Sequence, residues 1–210
     1  MAEYKVRLAA NEGVFRGLSK QNMLFHQCVA ELVDNAIAAQ RPTTKFRVDI
    51  VLAPIQGNNG LFDLFVADNC SGMDIALLGK ALKLGESATT DNRLNEHGFG
   101  LKNALATLSG GNGPWSLWSR IPGTTAVVSA SGPFREEMIT KDDVQFPADE
   151  FLPKDISTLV KVTTRVSFLR TVQGRGAPTS DLANLRTWLI EHLGVMYRGY
   201  LEQDEATSDN

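Results

Sequence analysis

The most regular hydrophobic pattern in the chain lies between residues 20 and 40, where apolar residues recur three and four positions apart. This period predicts an amphipathic helix that ends near Arg41-Pro42, because proline cannot continue a helix. The same criterion predicts further helices at residues 74–84, 99–108 and 181–201. Asp74 is a suitable N-cap for the first of these, since its carboxylate can accept a hydrogen bond from the first turn.

Between the helices, short runs rich in β-branched and aromatic residues predict strands. These runs cover residues 46–52, 61–67, 115–119, 124–130, 134–140 and 159–168. A turn rich in Gly and Asn separates the first two, which are therefore predicted to form a hairpin. Because helices interleave with strands that are mostly joined by hairpins, we expect an α+β fold with the helices on one face of a mostly antiparallel mixed sheet.

Composition sets limits on the class of protein. A chain of 210 residues, 43% of them apolar, can bury one core, so a single compact domain is the default. The net charge of −3 argues against a broad basic surface for nucleic acid, although a local contact stays open. Two cysteines without a CxxC pattern fit a reducing cytoplasm, and no apolar run approaches the roughly 20 residues that span a bilayer. We therefore expect a cytoplasmic protein without a membrane partner.

The first group of candidate functional residues lies on the first predicted helix. Glu31, Asp34 and Asn35 are spaced i, i+3 and i+4, which places them on roughly one face of that helix. Carboxylates in such an arrangement form either a solvated helix edge or the wall of a pocket.

The second group follows a predicted strand. Asp68 stands at the end of an apolar run and is followed by a tight turn that contains Gly72 and leads to Met73. The segment is either an ordinary β-turn or one side of a ligand pocket, with Met73 as an adaptable apolar contact. In a pocket, Asp68 would accept a hydrogen bond from a ligand amino group and so discriminate adenine from guanine, because the wrong base leaves the carboxylate unpaired.

The third group opens a helix, in the segment 97–103. Gly98 and Gly100 precede the apolar run, and such glycines let backbone N–H groups approach a phosphate at the positive end of the helix dipole. Lys102 would add a point charge, although a plain turn or helix cap has the same pattern. Asn103 stands where the third glycine of a dinucleotide-binding fingerprint should be, so that fingerprint is not met.

Taken in order, the three groups resemble the ATP-binding boxes of the GHKL superfamily. The matching segments are Glu31-Leu-Val-Asp-Asn35, Asp68-Asn-Cys-Ser-Gly72-Met73 and Gly98-Phe-Gly100-Leu-Lys102. That superfamily includes gyrase-type topoisomerases, ninety-kilodalton heat-shock chaperones, histidine kinases, MutL and the MORC ATPases, and this chain is most similar in motif style to the MORC, chaperone and gyrase-like members. The resemblance spans about residues 20 to 168 and implies a Bergerat-type two-layer α+β sandwich.

The resemblance also implies a role for each matching residue. Glu31 would be the general base that orients water at the γ-phosphate, and Asn35 would hold Mg²⁺, with Asp34 in a supporting polar role. Asp68 would accept the adenine amino hydrogen, helped through water by Thr158, while Gly72 and Met73 would shape the base pocket. The residues expected around the phosphates are Gly98, Phe99, Gly100, Leu101 and Lys102, at the end of an ATP lid that covers about residues 85–100.

The sequence departs from the family pattern at two positions. Cys70 stands where the family has the first glycine of the second box, so we expect the turn to adopt a conformation open to a non-glycine residue. Ser157-Thr158 stands where the family usually has Gly-Thr before a late strand.

The resemblance implies an ATPase. Histidine kinases usually have Asn where this chain has Glu31, so the glutamate favours hydrolysis. We expect Mg²⁺-dependent ATP binding and slow hydrolysis that drive lid closure and homodimerisation, with residues 1–201 as one ATP-binding domain and 202–210 as a polar tail. The tail would lead to an absent transducer domain, or the chain would work with a partner protein, in the cytoplasm or in a eukaryotic nucleus. Two alternatives stay open: a nucleotide-sensing interaction module without relevant turnover, and a histidine-kinase-like phosphotransferase.

Overall fold

The computed structural model of the chain describes residues 3–7, 13–14, 17, 20, 23–83, 99–149, 151–167 and 182–201. The helices with described bounds are α1 (Phe25–Ala38), α2 (Ile75–Leu82), α3 (Gly100–Leu108) and α4 (Leu182–Met196). The strands are β1 (Glu3–Arg7), β2 (Val48–Ile55), β3 (Asn58–Asp68), β4 (Trp115–Ser119), β5 (Val127–Ser131), β6 (Glu137–Val144) and β7 (Thr158–Arg165).

The strands form one seven-stranded sheet in the order β1-β6-β5-β4-β7-β3-β2. Every neighbouring pair among these described strands is antiparallel, so the antiparallel character is confirmed, while the parallel pairing implied by a mixed sheet is not found among them. The predicted hairpin is confirmed as β2 and β3. Strand β1 was not predicted, because its five residues alternate too briefly to form a recognisable pattern, and the strand is identified by its pairing with β6.

The helices lie on one face of the sheet. All four contribute to one large apolar core, together with the inward residues of five strands, including Phe62, Leu64, Leu117 and Val160. The opposite face carries a smaller cluster of buried side chains: Phe65, Ala67, Ile156 and Leu159. Because successive strand residues alternate between the two faces, Leu64 and Phe65 serve different clusters. The predicted α+β sandwich is therefore confirmed.

The helix ends follow local hydrogen bonding. Helix α1 starts at Phe25, later than the periodicity predicts, and the backbone N–H of Leu24 donates to the Gln27 side chain at 2.8 Å. Asp74 caps α2 as predicted, since its carboxylate accepts a hydrogen bond from the Leu77 amide at 2.7 Å. None of the helices in the described part of the chain combines the length and apolar character that crossing a membrane requires.

The ends of three neighbouring strands lie side by side at one end of the sheet. Strand β7 lies between β3 and β4, and its first residue, Thr158, is paired in register with Asp68 on one side and with Ser119 on the other. Because paired residues on neighbouring strands lie within side-chain reach of one another, this register brings three polar side chains into one row. Helix α1 packs over the same strands, so the row faces the helix that carries Glu31 and Asn35.

Truncation of Phe25 tests how α1 is held on the sheet. Phe25 and Phe62 are fully buried and meet edge to face with their ring centroids 6.1 Å apart. We expect Phe25→Ala to lower the free energy of unfolding by about 3–5 kcal/mol, because it removes a buried ring and leaves a cavity. Urea denaturation measures this change. Phe151→Ala is the control: Phe151 is 44% exposed, and its truncation should lower the free energy by about 1 kcal/mol or less. Equal losses in the two variants would contradict this account of the core.

Candidate functional site

A cavity of about 170 Å³ lies between α1, the turn after β3, and the sheet. Residues from all three sequence groups line it, together with the late-strand threonine: Asn35, Asp68, Gly72, Met73, Leu101 and Thr158. Its apolar walls include Val66, Leu117 and Val160, from three neighbouring strands. A mostly apolar cleft with a few convergent polar groups is the usual form of a small-ligand site.

Asp68 supplies the buried acceptor of this cavity. Burial raises the pKa of its carboxyl group to about 6, because a low-dielectric surrounding disfavours the charged form. Hydrogen bonds from Cys70 and Thr158 partly offset that effect, and the Cys70 amide donates to the carboxylate at 2.9 Å. The carboxylate is therefore desolvated but held in place, which suits it to accept a hydrogen bond from a ligand.

The turn after β3 needs glycine at position 72. Gly72 has φ +63°, in the left-handed region that residues with a Cβ rarely adopt. A Cβ built there would lie 2.0 Å from the Arg120 carbonyl oxygen, which is backbone and cannot easily move. The next residue, Met73, donates its amide to the Ser119 hydroxyl at 2.8 Å. The end of β4 thus supports the turn at two consecutive residues.

Cys70 occupies the turn without a glycine-like backbone. Among the non-glycine residues that the structure describes, positive φ occurs at Asp143 alone, so the expectation that this turn suits a non-glycine residue is confirmed. The Cys70 thiol is buried and contacts the Ala36 carbonyl oxygen at 3.2 Å, and the Ser71 amide donates to Ala39 at 2.9 Å. Burial and the neighbouring Asp68 charge raise the pKa of the thiol to about 12. Cys70 therefore stays protonated and ties the turn to α1.

Glu31 connects the first group with the third. Its carboxyl group is partly buried, and burial, followed by the nearby charge of Asp34, raises its pKa. A Cβ built on Gly100 would lie 2.0 Å from a Glu31 carboxylate oxygen. The Glu31 carboxylate thus lies against the first residue of α3, and a side chain at position 100 would have to displace it.

Asn35 lies one helical turn after Glu31 and lines the cavity. Its side-chain amide donates to the Glu31 carbonyl oxygen at 2.5 Å, and its side-chain oxygen has the chemistry of a ligand for a hard metal ion. Amide and carboxylate oxygens are the hard donors that Mg²⁺ prefers, and this ion usually keeps few protein ligands. Within the described ranges there is no cluster of three or more acidic, histidine or cysteine side chains that could hold a metal. The residues fit Mg²⁺ that is bound mainly by phosphate and water.

Asp34 lies near Glu31, and its carboxylate is hydrogen-bonded to a residue far along the chain. The Tyr197 hydroxyl donates to the Asp34 carboxylate at 2.8 Å and also lies 3.0 Å from the Ala30 carbonyl oxygen. Asp34 is not among the residues that line the cavity, and burial raises the pKa of its carboxyl group. It joins α1 to the residue that follows α4.

The residues of the third group differ in where they lie relative to the cavity. Leu101 lines the cavity, and Phe99, at the N-cap position of α3, is 39% exposed. Lys102 is 1% exposed and is not among the residues that line the cavity. Gly98 and residues 85–98 of the predicted lid lie outside the described residues, as does the tail at 202–210.

Ser119 is a site residue that the sequence analysis missed. It is fully buried, and its hydroxyl contacts both Met73 and Thr158. The alternation of residues along β4 could have identified it. Trp115 and Leu117 face the core, and Ser119, two residues further on, points to the same face. A small polar residue at an inward position indicates a buried hydrogen-bond partner, which the local pattern cannot identify.

Comparison with known proteins agrees with the geometry. Residues 23–120, a little under half of the chain, match the model of the family described as histidine kinase-, DNA gyrase B- and HSP90-like ATPases. This stretch begins just before α1, ends just after β4 and contains all three sequence groups, while Thr158 lies beyond it. None of the curated proteins compared with the chain matches it. The match confirms the predicted resemblance to the GHKL superfamily and supports ATP binding and hydrolysis as the general activity.

Proposed function

We propose that the chain binds ATP together with Mg²⁺ in the cavity between α1 and the sheet, and hydrolyses it slowly. The observation that carries this proposal is the single cavity lined by residues of all three sequence groups, with the desolvated Asp68 carboxylate in its wall. The family match supports the same reading, since it covers the segments that build most of the cavity.

The adenine base would lie against the apolar strand residues. Asp68 accepts the hydrogen bond of the base amino group, and the Thr158 hydroxyl, bonded to the same carboxylate, lies beside it. Gly72 and Met73 form the adjoining edge of the cavity, where the turn approaches the backbone of Arg120. A buried carboxylate is a strong basis for selectivity, because a base without a matching donor leaves it desolvated and unpaired.

The phosphates would extend toward the N-terminus of α3. Gly100 and Leu101 begin that helix, and its unpaired amides together with the helix dipole favour an anion there. Mg²⁺ held through Asn35 would supply positive charge against the phosphate oxygens. Roles for Gly98, Phe99 and Lys102 in phosphate binding, and for Asp34 beside Asn35, stay predictions from the sequence.

Glu31 would act as the general base. It orients a water molecule, accepts a proton as the water oxygen attacks the γ-phosphorus, and the bond to the ADP oxygen breaks. Its raised pKa makes it a better proton acceptor near neutral pH than an exposed glutamate. Its carboxylate lies against Gly100, at the helix start toward which the phosphates would extend, and this proximity supports the proposed role.

We propose further that residues 1–201 act as one ATP-binding domain in the cytoplasm or a eukaryotic nucleus. Closure of the lid at residues 85–100 and formation of a homodimer would then follow the nucleotide state, with a transducer domain or partner protein using that change. A γ-phosphate that orders a loop is a common basis for such a switch.

Glu31→Gln separates hydrolysis from the alternatives. We expect this variant to bind ATP within about threefold of the unaltered chain, and to release phosphate at least about 100-fold more slowly, because an amide cannot accept the proton. Calorimetry measures binding, and a phosphate assay with Mg²⁺ measures turnover. Glu191→Gln, on the exposed side of α4, is the matched control and should hydrolyse normally.

Each outcome of these measurements favours a different function of the chain. Unchanged turnover in Glu31→Gln would contradict the role of Glu31. ATP binding without turnover in the unaltered chain would favour the nucleotide-sensing module, and labelled phosphate on a second protein would favour the phosphotransferase.

Asp68→Asn should stabilise the free protein and weaken ATP binding. A folded-state pKa raised from 3.8 to about 6 means that the folded protein binds the proton more tightly than the unfolded chain. The destabilisation therefore develops as pH rises from 4 to 6 and reaches about 3 kcal/mol above that range, by the free energy per pKa unit. Asparagine is neutral throughout, so we expect a gain of about 2 kcal/mol at pH 7.5 and little gain at pH 4.

Urea denaturation of both proteins at the two pH values measures this gain, and calorimetry measures an expected loss of at least about tenfold in ATP affinity. A variant that is less stable at pH 7.5, or that binds ATP normally, would contradict the proposed role of Asp68.

A further inference from the structure

The hydroxyl group of Ser119 lies directly behind the wall of the cavity. Ser119 is fully buried at the end of β4 and does not line the cavity itself. Its oxygen accepts a hydrogen bond from the Met73 amide at 2.8 Å and lies 3.1 Å from the Thr158 hydroxyl oxygen. Met73 and Thr158 both line the cavity, so one buried side chain contacts two parts of its wall.

The direction of these hydrogen bonds follows from the number of protons available. A serine hydroxyl has one proton, and its acceptor here is either Thr158, at 3.1 Å, or the Ser157 carbonyl oxygen, at 3.2 Å. That carbonyl oxygen also accepts from the Arg120 amide at 2.8 Å, and since a carbonyl oxygen can accept two hydrogen bonds, the direction is decided at Thr158. Thr158 is paired in register with Asp68, and a hydrogen bond from its hydroxyl stabilises the ionised carboxylate, which has no proton of its own to give. Because the one Thr158 proton is used there, Thr158 accepts from Ser119.

The consistent arrangement is a chain of donors that ends at the base-recognising carboxylate. The Met73 amide donates to Ser119, Ser119 donates to Thr158, and Thr158 donates to Asp68. Hydrogen bonds in such a series polarise one another, and each fixes the direction of the next. Because the Thr158 oxygen already accepts the Ser119 proton, fewer directions remain for the proton of Thr158 itself.

We propose that Ser119 is a positioning residue for base recognition: it directs the Thr158 hydroxyl toward Asp68 and holds the Met73 backbone, and so sets the preference for 6-aminopurine over 6-oxopurine nucleotides. This inference rests on the proposed ATP site. A 6-oxo group would face the Asp68 carboxylate acceptor to acceptor, and the hydroxyl able to relieve that contact is the one that Ser119 directs elsewhere. Ser119 does not touch the ligand and has no part in phosphate chemistry.

Ser119→Ala tests the inference, with ATP and GTP as the probes. Equilibrium binding by the full chain should show ATP affinity reduced about threefold to tenfold, the range for one hydrogen bond, and GTP affinity changed by less than about twofold. In the hydrolysis assay KM for ATP should rise by the same factor while kcat at saturating ATP stays unchanged, because the hydrogen bonds of Ser119 go to Met73, Ser157 and Thr158, on the base side of the proposed site. If Ser119 only stabilised the fold, its substitution would leave the ratio of ATP affinity to GTP affinity unchanged.

Ser116→Ala is the matched control. Ser116 is on the same strand, and its hydroxyl lies 3.3 Å from that of Ser131 on the neighbouring strand, at an exposed position. The same substitution there should leave both affinities unchanged. Equal effects of the two variants, or an unchanged ATP-to-GTP ratio in Ser119→Ala, would overturn the inference.

Thr158→Val provides a second test that does not depend on the Ser119 variant folding well. Valine keeps the shape of threonine but removes the hydroxyl through which Ser119 acts on Asp68, so it should also lower the ATP-to-GTP ratio. In the Thr158→Val background, Ser119→Ala should change the ratio by less than about twofold, since coupled residues are not additive. Full additivity would overturn the inference. Absence of ATP binding by the unaltered chain would overturn the proposed function itself, and is distinguished by that first measurement.

Discussion

A carboxylate buried at the end of a strand is stable only where hydrogen bonds replace the water it has lost. Asp68 meets this requirement through the Cys70 amide and the Thr158 hydroxyl, and the surrounding structure supplies both. The amide is available because the chain turns sharply after β3, and the hydroxyl is available because β7 pairs with β3 in a register that sets Thr158 opposite Asp68. The shape of the turn and the order of the strands thus follow from the same constraint.

Close backbone approach is the second consequence of that arrangement. The turn can reach the end of β4 because Gly72 has no Cβ to meet the Arg120 carbonyl oxygen, and α3 can begin against Glu31 because Gly100 has none either. Gly72 therefore lets the second group approach the sheet, and Gly100 leaves room for the Glu31 side chain beside the third group. Cys70 shows the complementary case: its turn position has ordinary backbone dihedrals, so a side chain is tolerated and is used to contact Ala36.

Sequence patterns identified the features that depend on near neighbours. The period of α1, the hairpin of β2 and β3, the cap at Asp74 and the order of the three groups are all local, and the structure confirms each of them. Features set by distant packing were not accessible. The Tyr197 hydroxyl, 163 residues away in the chain, donates to Asp34, and the burial of Lys102 depends on how α3 packs. Ser119 was missed for the same reason, since its partners belong to other elements.

The distribution of acidic groups bears on what the site can bind. Glu31, Asp34 and Asp68 all have raised pKa values, and for each the principal cause is burial. At neutral pH their remaining negative charge lies in and beside the α1 side of the cavity, where a polyphosphate would add more of the same sign. Like charges in a low-dielectric site repel strongly, so a polyphosphate alone is a poor ligand there. Binding with an accompanying divalent cation would remove most of that repulsion, and in the proposed site the side-chain oxygen of Asn35, one helical turn from Glu31, would share this cation with the phosphates. The dependence on Mg²⁺ in the proposed activity would thus follow from the acidity of the helix that carries the general base.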